Sequence, residues 1–356
     1  MKLPPFREDY GYSWENSMSD NRKFILKRRP QGMPVPEDFE LINEALPDIA
    51  DGEILVRNHY ISLDPAQRGW MDDTPSYMPP INLGESVRAT TVGVVIDSKN
   101  PNFEAGQWVL GLNGIEEYSR VGQGGFTMPI DTTIVPSVTN FLSILGAVGL
   151  TAYFGLVDAG QPKEGETVLV SGAAGAVGSA VGQIAKIQGC RAVGIAGGPV
   201  KCKRLTEEYG FDAAIDYRGK NASALEAAIK DAAPDGVDII FENVGGDILD
   251  AGIMNLNDHA RVILCGLISE YNSDHKGAKN LWQLIVKQAS IKGFLIRDYA
   301  PSFGEGGAVM AGWISEGKIT FREHIESGIE TAFDSFMLLF NGGNQGKLIL
   351  DVSPSD

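Results

Sequence analysis

The feature that most constrains this chain is a short apolar strand that runs directly into a glycine-rich turn and then into an apolar helix. The stretch 167–179 reads TVLVSGAAGAVGS, so Gly175 and Gly178 take the last two positions of the pattern G-x-G-x-x-G and Ala173 takes the first. Apolar residues then recur at helical spacing, at Val177, Ala180, Val181 and Ile184. This order directs backbone N–H groups and a positive helix end at one point, where a pyrophosphate usually binds. The sequence therefore predicts a Rossmann-type nucleotide-binding unit.

The pattern of predicted secondary structure changes near residue 142. Between Arg22 and about Val135, short strands are separated by turn-forming clusters, which predicts an irregular, mostly β domain. The strands predicted there are Glu53–Tyr60, Thr90–Ile96 and Trp108–Leu112. From about residue 142, apolar runs typical of buried parallel strands alternate with helical stretches, which predicts a doubly wound α/β sheet.

The strands predicted for this sheet are Thr167–Val170, Arg191–Ala196, Ala213–Asp216, Val237–Phe241, Arg261–Cys265 and Ile291–Leu295. The helices predicted between them include Val200–Tyr209, Ala222–Ala232 and Lys279–Lys287. After Ile319 the pattern predicts a strand over Thr320–His324, a helix over Phe333–Phe340 and a strand over Lys347–Val352. We therefore expect one domain from residues 1–141 and 319–356, with a loose N-terminal arm over 1–20. The nucleotide-binding domain is expected over 142–318, with the active cleft between the two.

The charge balance and the cysteines exclude several classes of protein. A formal net charge of −16 disfavours nucleic acid and anionic membranes as partners, because both require a basic surface. No uncharged apolar run approaches the length of a membrane span, and the first ten residues lack the apolar core of a signal peptide. No pair among the three cysteines has metal-ligand spacing, and their odd number argues against a disulfide framework. We therefore expect a cytoplasmic protein that binds neither nucleic acid nor membrane.

The residues after the second strand of the α/β sheet favour NADP over NAD. An NAD site places Asp or Glu about 20 residues after the glycine-rich turn, where it binds the ribose hydroxyls. Here Gly197 stands 19 residues after Gly178, no carboxylate is near it, and Lys201 follows in the first turn of the next helix. A lysine near a helix N-terminus can pair with a 2′-phosphate, and Tyr217, after the third strand, could donate to the same group. The alternatives are a solvated Lys201 and a Tyr217 that only packs.

Several separate stretches resemble the medium-chain dehydrogenase/reductase superfamily, and within it the zinc-free prostaglandin, alkenal and curcumin reductases. The matching stretches are RRPQG at 28–32, YISLDP at 60–65, GLTAYFG at 149–155, the turn and helix at 170–185, ENVGG at 242–246, CGLISEYN at 265–272 and NQGK at 344–347. The family's Asp-Pro-Tyr-Met-Arg reads DPAQR here, at 64–68. The resemblance implies a GroES-like catalytic domain, a Rossmann-type domain, NADPH as cofactor and a homodimer.

The resemblance also implies which residues line the cofactor and the substrate. Tyr271 is expected near the reacting carbonyl, and Tyr60 and Tyr118 are weaker candidates for the substrate pocket. The expected cofactor-binding residues are Thr151, Gly172, Ala173, Ala174, Gly175, Ala176, Val177, Gly178, Gly197, Lys201, Tyr217, Asn243, Gly266, Ile268, Tyr271, Phe294, Leu295 and Asn344.

A catalytic zinc is not expected. Zinc needs three protein ligands, usually drawn from Cys, His and carboxylates. All three cysteines fall after residue 142, and the first part of the chain offers a single histidine, His59. Where zinc-dependent relatives carry their first cysteine ligand, this chain has Asp64-Pro65.

These residues lead to three hypotheses for function. The first is an NADPH-dependent reductase of the carbon–carbon double bond of α,β-unsaturated ketones and aldehydes. In that reaction an enolate forms without a metal and is stabilised by Tyr271 and a ribose hydroxyl. The second is a quinone reductase on the same scaffold. The third is an NADP-binding protein without chemistry.

Overall fold

The computed structural model describes residues 20–122, 125–273 and 277–354. Residues 1–19 of the predicted N-terminal arm lie outside this range, whereas Asp20 already belongs to the first strand. The strands are β1 Asp20–Leu26, β2 Phe39–Ala45, β3 Ile54–Ser62, β4 Arg88–Ser98, β5 Trp108–Gly114, β6 Tyr118–Val121, β7 Thr127–Pro129, β8 Thr167–Val170, β9 Arg191–Ala196, β10 Ala213–Asp216, β11 Val237–Glu242, β12 Leu256–Leu264, β13 Ser290–Gly293, β14 Glu323–Ser327 and β15 Lys347–Asp351.

The helices are α1 Ala66–Trp70, α2 Ala147–Tyr153, α3 Ala176–Ile187, α4 Pro199–Glu207, α5 Ala222–Ala232, α6 Gly246–Met254, α7 Trp282–Val286, α8 Phe303–Ser315 and α9 Ala332–Asn341. A π-helical segment, Phe154–Gly160, continues α2. Short 3₁₀ turns are Pro36–Asp38, Thr132–Ile134, Val138–Phe141, Ile268–Glu270, Ile296–Ser302 and Ile329–Thr331. In the described ranges, no helix has both the length and the apolar character needed to cross a membrane.

The α/β half is built on one six-stranded parallel sheet. Its strand order is β10-β9-β8-β11-β12-β13, with the order reversing beside β8. Side chains alternate across a strand, so Val168 and Val170 face one apolar cluster with α3, while Leu169 faces a second cluster with α5 and α6. The predicted Rossmann-type sheet is confirmed. We call this half the Rossmann lobe.

The other half is a β-rich lobe around a seven-stranded sheet. The sheet runs β14-β15-β3-β4-β5-β7, with β6 paired to β3, and is antiparallel except for β14 and β15. The C-terminal strands therefore return to the sheet of the first part of the chain. The division at 141/142 and 318/319 stays a prediction, since sheet membership alone does not define domain ends.

Two segments of the chain connect the lobes, and side-chain hydrogen bonds join these segments to each other. The carboxylate of Glu323 accepts hydrogen bonds from Thr139 Oγ1 at 2.6 Å, Asn140 Nδ2 at 3.0 Å and Ser143 Oγ at 2.5 Å. On the same return segment, the Gln183 amide of α3 exchanges two hydrogen bonds with the Thr320 backbone, at 2.8 and 2.9 Å. The helix that follows the glycine-rich turn is thus fixed to the connection between the lobes.

Some predicted elements have the wrong bounds. The strand predicted over Thr320–His324 begins at Glu323, because the backbone of Thr320 is bonded to Gln183 instead of to a strand. The helix predicted over Lys279–Lys287 covers only Trp282–Val286, since the backbone N–H groups of Lys279 and Asn280 donate to Asp250. The last strand of the parallel sheet ends at Gly293, so Phe294 and Leu295 lie in the loop beyond it.

Candidate active site

The glycine-rich turn brings α3 unusually close to the end of β8. Gly172 has φ +58°, and a Cβ on Gly178 would lie 2.5 Å from Gly172 O and 2.8 Å from Ala173 Cα. Both are backbone atoms, so position 178 admits no side chain without moving the helix. The N–H groups of the first helical turn, at residues 176–178, have no partner within the helix and point out of its end. This is the geometry of an anion site.

Two of the predicted cofactor residues stabilise the turn through hydrogen bonds of their backbone N–H groups. The Ala173 N–H donates to Ile195 O at 3.0 Å, and its side chain is fully buried in the core. The Gly175 N–H donates to Gly172 O at 2.9 Å. Ala173 therefore shapes the turn and presents neither a free donor nor a side chain to the cleft. A contact between Ala173 and the cofactor stays a prediction.

Glu242 joins the ends of three neighbouring strands through its buried carboxylate and its backbone oxygen. Its Oε1 accepts hydrogen bonds from Ser171 Oγ at 2.6 Å, Val244 N at 2.6 Å and Gly245 N at 2.7 Å. Its backbone oxygen accepts Cys265 N at 2.9 Å and Gly266 N at 3.1 Å. Burial raises the pKa of Glu242, and the three donors oppose that rise.

Asn243, a predicted cofactor residue, is fixed in the same network. Its Nδ2 donates to Ser171 O at 2.7 Å, and its backbone N–H donates to Ser171 Oγ at 2.8 Å. The predicted residues Gly172, Asn243 and Gly266 therefore meet at the carboxyl edge of the sheet, where β8, β11 and β12 end. Ligands of open α/β sheets bind at this edge, beside the reversal of strand order.

Cationic side chains gather beyond the ends of β9 and β10. A Cβ on Gly197 would lie 3.1 Å from Tyr217 Oη, and the Tyr217 side chain lies over that glycine with 40% of the residue exposed. Lys201 Nζ donates to Gly342 O at 2.9 Å. Burial lowers the pKa of Lys201, and the charges of Arg204 and Arg218 lower it further. Three cations therefore lie within electrostatic reach of one another, which we call the cationic cluster.

The cationic cluster also holds the loop that carries Asn344. Arg204 Nη2 donates to Gln345 Oε1 at 2.8 Å, while its buried Nη1 has no hydrogen-bond partner among the described residues. Asn344 Nδ2 donates to Gly346 O at 2.9 Å, which closes the loop before β15. Sequence reasoning missed Arg204 and Arg218. The spacing of Arg204, three residues after Lys201 on one helix, was the signal that could have identified it.

Tyr271 lies in the loop after β12, at the same edge of the sheet. Its Oη accepts the Leu267 N–H at 3.3 Å, and a Cβ on Gly266 would lie 2.9 Å from that oxygen. Burial raises the pKa of Tyr271 to about 12, and the nearby Cys265 and Tyr77 add to the rise. Tyr77 comes from the β-rich lobe, and its Oη accepts Trp70 Nε1 at 3.0 Å. Tyr77 was not among the predicted residues.

The other predicted residues lie at different places. The Arg57 guanidinium lies over the Tyr118 ring, with its Cζ 4.9 Å from the ring centre. Tyr60 packs against a core cluster of the β-rich lobe. Their assignment to a substrate pocket stays a prediction. Phe294 packs on Phe241 with ring centres 6.3 Å apart, beside the end of β11. Thr151 lies in α2, Ile268 begins the 3₁₀ turn before Tyr271, and Leu295 follows Phe294 after β13.

Among the described residues, no group of three His, Cys, Asp or Glu side chains is placed to hold a metal ion. Asp64 stands where zinc-dependent relatives are expected to carry a cysteine ligand, and it forms an ion pair with a buried lysine. Lys347 Nζ donates to Asp64 Oδ1 at 2.6 Å and to Leu63 O at 2.9 Å. This pair joins β15 to the end of β3.

Comparisons with known proteins identify the family of this chain. A family described as "N-terminal domain of oxidoreductase" matches residues 22–130, and one described as "Zinc-binding dehydrogenase" matches residues 176–309. The NADPH-dependent curcumin reductase of Escherichia coli (strain K12) is 41% identical over 343 residues, which cover 94% of this chain and 98% of that protein. The 2-alkenal reductase (NADP(+)-dependent) of Nicotiana tabacum is 38% identical over 338 residues, with 94% and 98% covered.

A solved structure extends the similarity to three dimensions. The crystal structure of CurA in complex with NADPH from Vibrio vulnificus is 41% identical in sequence and superposes with a TM-score of 0.87, covering 94% of this chain and 100% of that one. The chain therefore belongs to the medium-chain dehydrogenase/reductase superfamily, in the branch of the curcumin, alkenal and prostaglandin reductases.

Proposed function

We propose that this NADP-dependent oxidoreductase reduces the carbon–carbon double bond of α,β-unsaturated ketones and aldehydes. The observation that carries the proposal is the Tyr271 phenol at the carboxyl edge of the sheet. Its oxygen already accepts the Leu267 N–H, so its own proton can be donated to a carbonyl oxygen in the cleft. The relatives named curcumin reductase and 2-alkenal reductase support this class of substrate.

The residues at this edge fit NADP in two ways. The first-turn N–H groups of α3 fit a pyrophosphate, because Gly178 lets the helix approach the turn. The cationic cluster fits a 2′-phosphate dianion, since a buried Arg204 N–H lacks a partner within the described part of the chain and Gly197 leaves room beside Tyr217. We propose that the cofactor is held by Thr151, Gly172, Ala173, Ala174, Gly175, Ala176, Val177, Gly178, Gly197, Lys201, Arg204, Tyr217, Arg218, Asn243, Gly266, Ile268, Tyr271, Phe294, Leu295 and Asn344.

When bound, NADPH supplies a hydride, which adds to the β-carbon of the substrate. Negative charge then develops on the carbonyl oxygen as an enolate forms. Tyr271 donates a hydrogen bond to this oxygen, because a tyrosine phenol is protonated at neutral pH, and burial raises its pKa further, to about 12. The α-carbon finally takes a proton, from water or through a tyrosine-linked relay, which gives the saturated carbonyl compound. A donor aimed at developing charge is a large term in such reactions.

The proposal is tested by measuring NADPH oxidation with a panel of enals, enones, quinones and simple ketones. Product analysis locates the added hydrogens. We expect turnover with enals and enones and products saturated at the α,β bond. Turnover confined to quinones would favour the quinone reductase hypothesis, and no turnover over the whole panel would favour an NADP-binding protein without chemistry.

The role of Tyr271 is tested by Tyr271→Phe. Removing one donor to a developing oxyanion lowers kcat by about 10²-fold or more. We expect that loss on an enone with little change in the dissociation constant of NADPH. Tyr299→Phe is the matched control, because it removes a phenol hydroxyl that is bonded to Asp158 at 2.6 Å. Wild-type turnover in Tyr271→Phe would remove Tyr271 from the mechanism.

We also propose that the protein forms a homodimer through the β13 edge of the Rossmann sheet. All four residues of β13 are exposed, and the preceding helix exposes Trp282 and Ile285, each at 67%. An exposed strand edge beside an apolar patch is a surface that a second copy can cover. Light scattering should show a dimer that Ile285→Lys dissociates. Ile134→Lys, on the other lobe and 65% exposed, should remain dimeric.

The cytoplasmic location predicted from the sequence stays a prediction, which subcellular fractionation would test.

A further inference from the structure

The loop that carries Tyr271 is attached at its start to the Rossmann lobe. The Ile268 N–H donates to Asn243 O at 3.1 Å, and the Ser269 N–H donates to Val244 O at 3.0 Å. Ser269 Oγ donates to the same Val244 oxygen at 2.6 Å. These bonds hold the loop on the end of β11, but all of them come before Tyr271.

On the far side of Tyr271, the loop is attached to the other lobe. Asn272 Oδ1 accepts a hydrogen bond from Arg68 Nε at 3.0 Å, and Asn272 Nδ2 lies 3.3 Å from Met33 Sδ. Arg68 belongs to α1 and Met33 lies near the start of the β-rich lobe. Tyr271 therefore lies between one anchor on each lobe.

Arg68 is held rigidly by its own lobe. Its side chain is 4% exposed, and Nη1 pairs with Asp72 Oδ1 at 2.7 Å. Its Nη2 donates to Gly32 O at 3.2 Å and to Pro30 O at 3.4 Å. The Nε–H group donates across the cleft to Asn272. A buried guanidinium N–H without an acceptor is costly, so this bond between the lobes is maintained.

We propose that Arg68 and Asn272 are positioning residues, which hold the Tyr271 hydroxyl at the carbonyl oxygen of the substrate by fixing its loop to the β-rich lobe. The inference rests on the proposed function, because it acts through Tyr271. The Arg68–Asn272 bond fixes the residue that follows Tyr271 to the β-rich lobe, while the Tyr271 hydroxyl itself lies beside Leu267 and Gly266 at the cofactor edge. Geometry at a reacting centre is sensitive, since a displacement of about 1 Å can cost about 10²-fold in rate.

The test uses Asn272, because substituting Arg68 would also remove its three bonds within its own lobe. Asn272→Ala removes the acceptor that faces Arg68, whereas Asn272→Asp keeps an oxygen there and serves as the matched control. We expect kcat on an enone to fall about 10- to 100-fold in Asn272→Ala and to stay near the wild-type value in Asn272→Asp. Titration calorimetry with NADP⁺ should give nearly the same dissociation constant for all three proteins.

A double-mutant cycle with Tyr271→Phe separates positioning from a general structural effect. If Asn272 acts through Tyr271, Asn272→Ala lowers kcat no further once Tyr271 is Phe. Two results would overturn the inference while the proposed function stands: wild-type kcat in Asn272→Ala beside a slow Tyr271→Phe, or an equal loss in both backgrounds. Wild-type kcat in Tyr271→Phe would overturn the proposed role of Tyr271 and the positioning inference together.

Discussion

Lys201→Ala should convert an NADPH-selective site into one with much weaker selectivity over NADH. Lys201 Nζ donates to a neutral acceptor, the Gly342 carbonyl, and the charges that act on its pKa are those of Arg204 and Arg218. Among the residues that the structure describes, Lys201 Nζ bonds to the Gly342 carbonyl and pairs with no carboxylate, so its charge is available to a phosphate. Removing the side chain takes one of three cations from the cationic cluster and leaves both arginines.

The magnitude follows from the type of bond that is lost. A hydrogen bond between charged groups contributes about 1.5–3 kcal/mol in a partly buried site. One factor of ten in affinity corresponds to about 1.4 kcal/mol. We therefore expect the dissociation constant of NADPH to rise about 10- to 100-fold in Lys201→Ala. NADH carries no 2′-phosphate, so its dissociation constant should change by less than about threefold, and the loss for NADPH should shrink at high salt.

Titration calorimetry with both cofactors measures the difference directly. Lys203→Ala is the matched control, because Lys203 lies on the same helix, keeps 70% of its side chain exposed and pairs with Glu207. That variant removes an equal charge from the surface and should leave both affinities unchanged. Equal weakening of NADPH and NADH in Lys201→Ala, or equal effects of the two substitutions on NADPH, would refute the assignment of the cationic cluster.

Two further predictions concern stability. Gly178→Ala places a Cβ 2.5 Å from Gly172 O, so it should lower the free energy of unfolding by about 1–3 kcal/mol and weaken the binding of NADPH. Gly304→Ala is the control, because a Cβ there meets nothing within 4 Å, and it should not lower the melting temperature. Burial lowers the pKa of His59 from 6.5 to about 4, with Arg57 adding to the effect, so the folded state binds fewer protons than the unfolded one. The stability that neutral His59 preserves is present above pH 6.5 and is lost as the pH falls toward 4. Between pH 7.5 and 5, denaturant titrations should show up to about 2 kcal/mol more loss in the wild type than in His59→Phe. An identical pH dependence in both proteins would contradict this account of His59.

Much of the Rossmann lobe could be predicted from the sequence because its information is local. The strands β8, β9 and β10 and the helix α5 have the predicted bounds, since buried parallel strands are continuous apolar runs that end at turn residues. Errors cluster where tertiary contacts decide the backbone. Asp250 takes the N–H groups of Lys279 and Asn280, and Gln183 takes the backbone of Thr320. No pattern within those segments indicates such partners.

The features of the candidate site also fall into those that the sequence predicts and those that depend on tertiary contacts. The sequence by itself determined the glycine-rich turn, the missing carboxylate after β9 and Lys201 at the start of α4, because each depends on residues close together in the chain. Only the tertiary structure decided that Arg204 and Arg218 join Lys201, that Glu242 binds the ends of three strands, and that Arg68 reaches Asn272 across 204 residues. Side-chain hydrogen bonds and burial depend on positions in space, and spacing along the chain predicts those positions only within one element and its neighbouring turns.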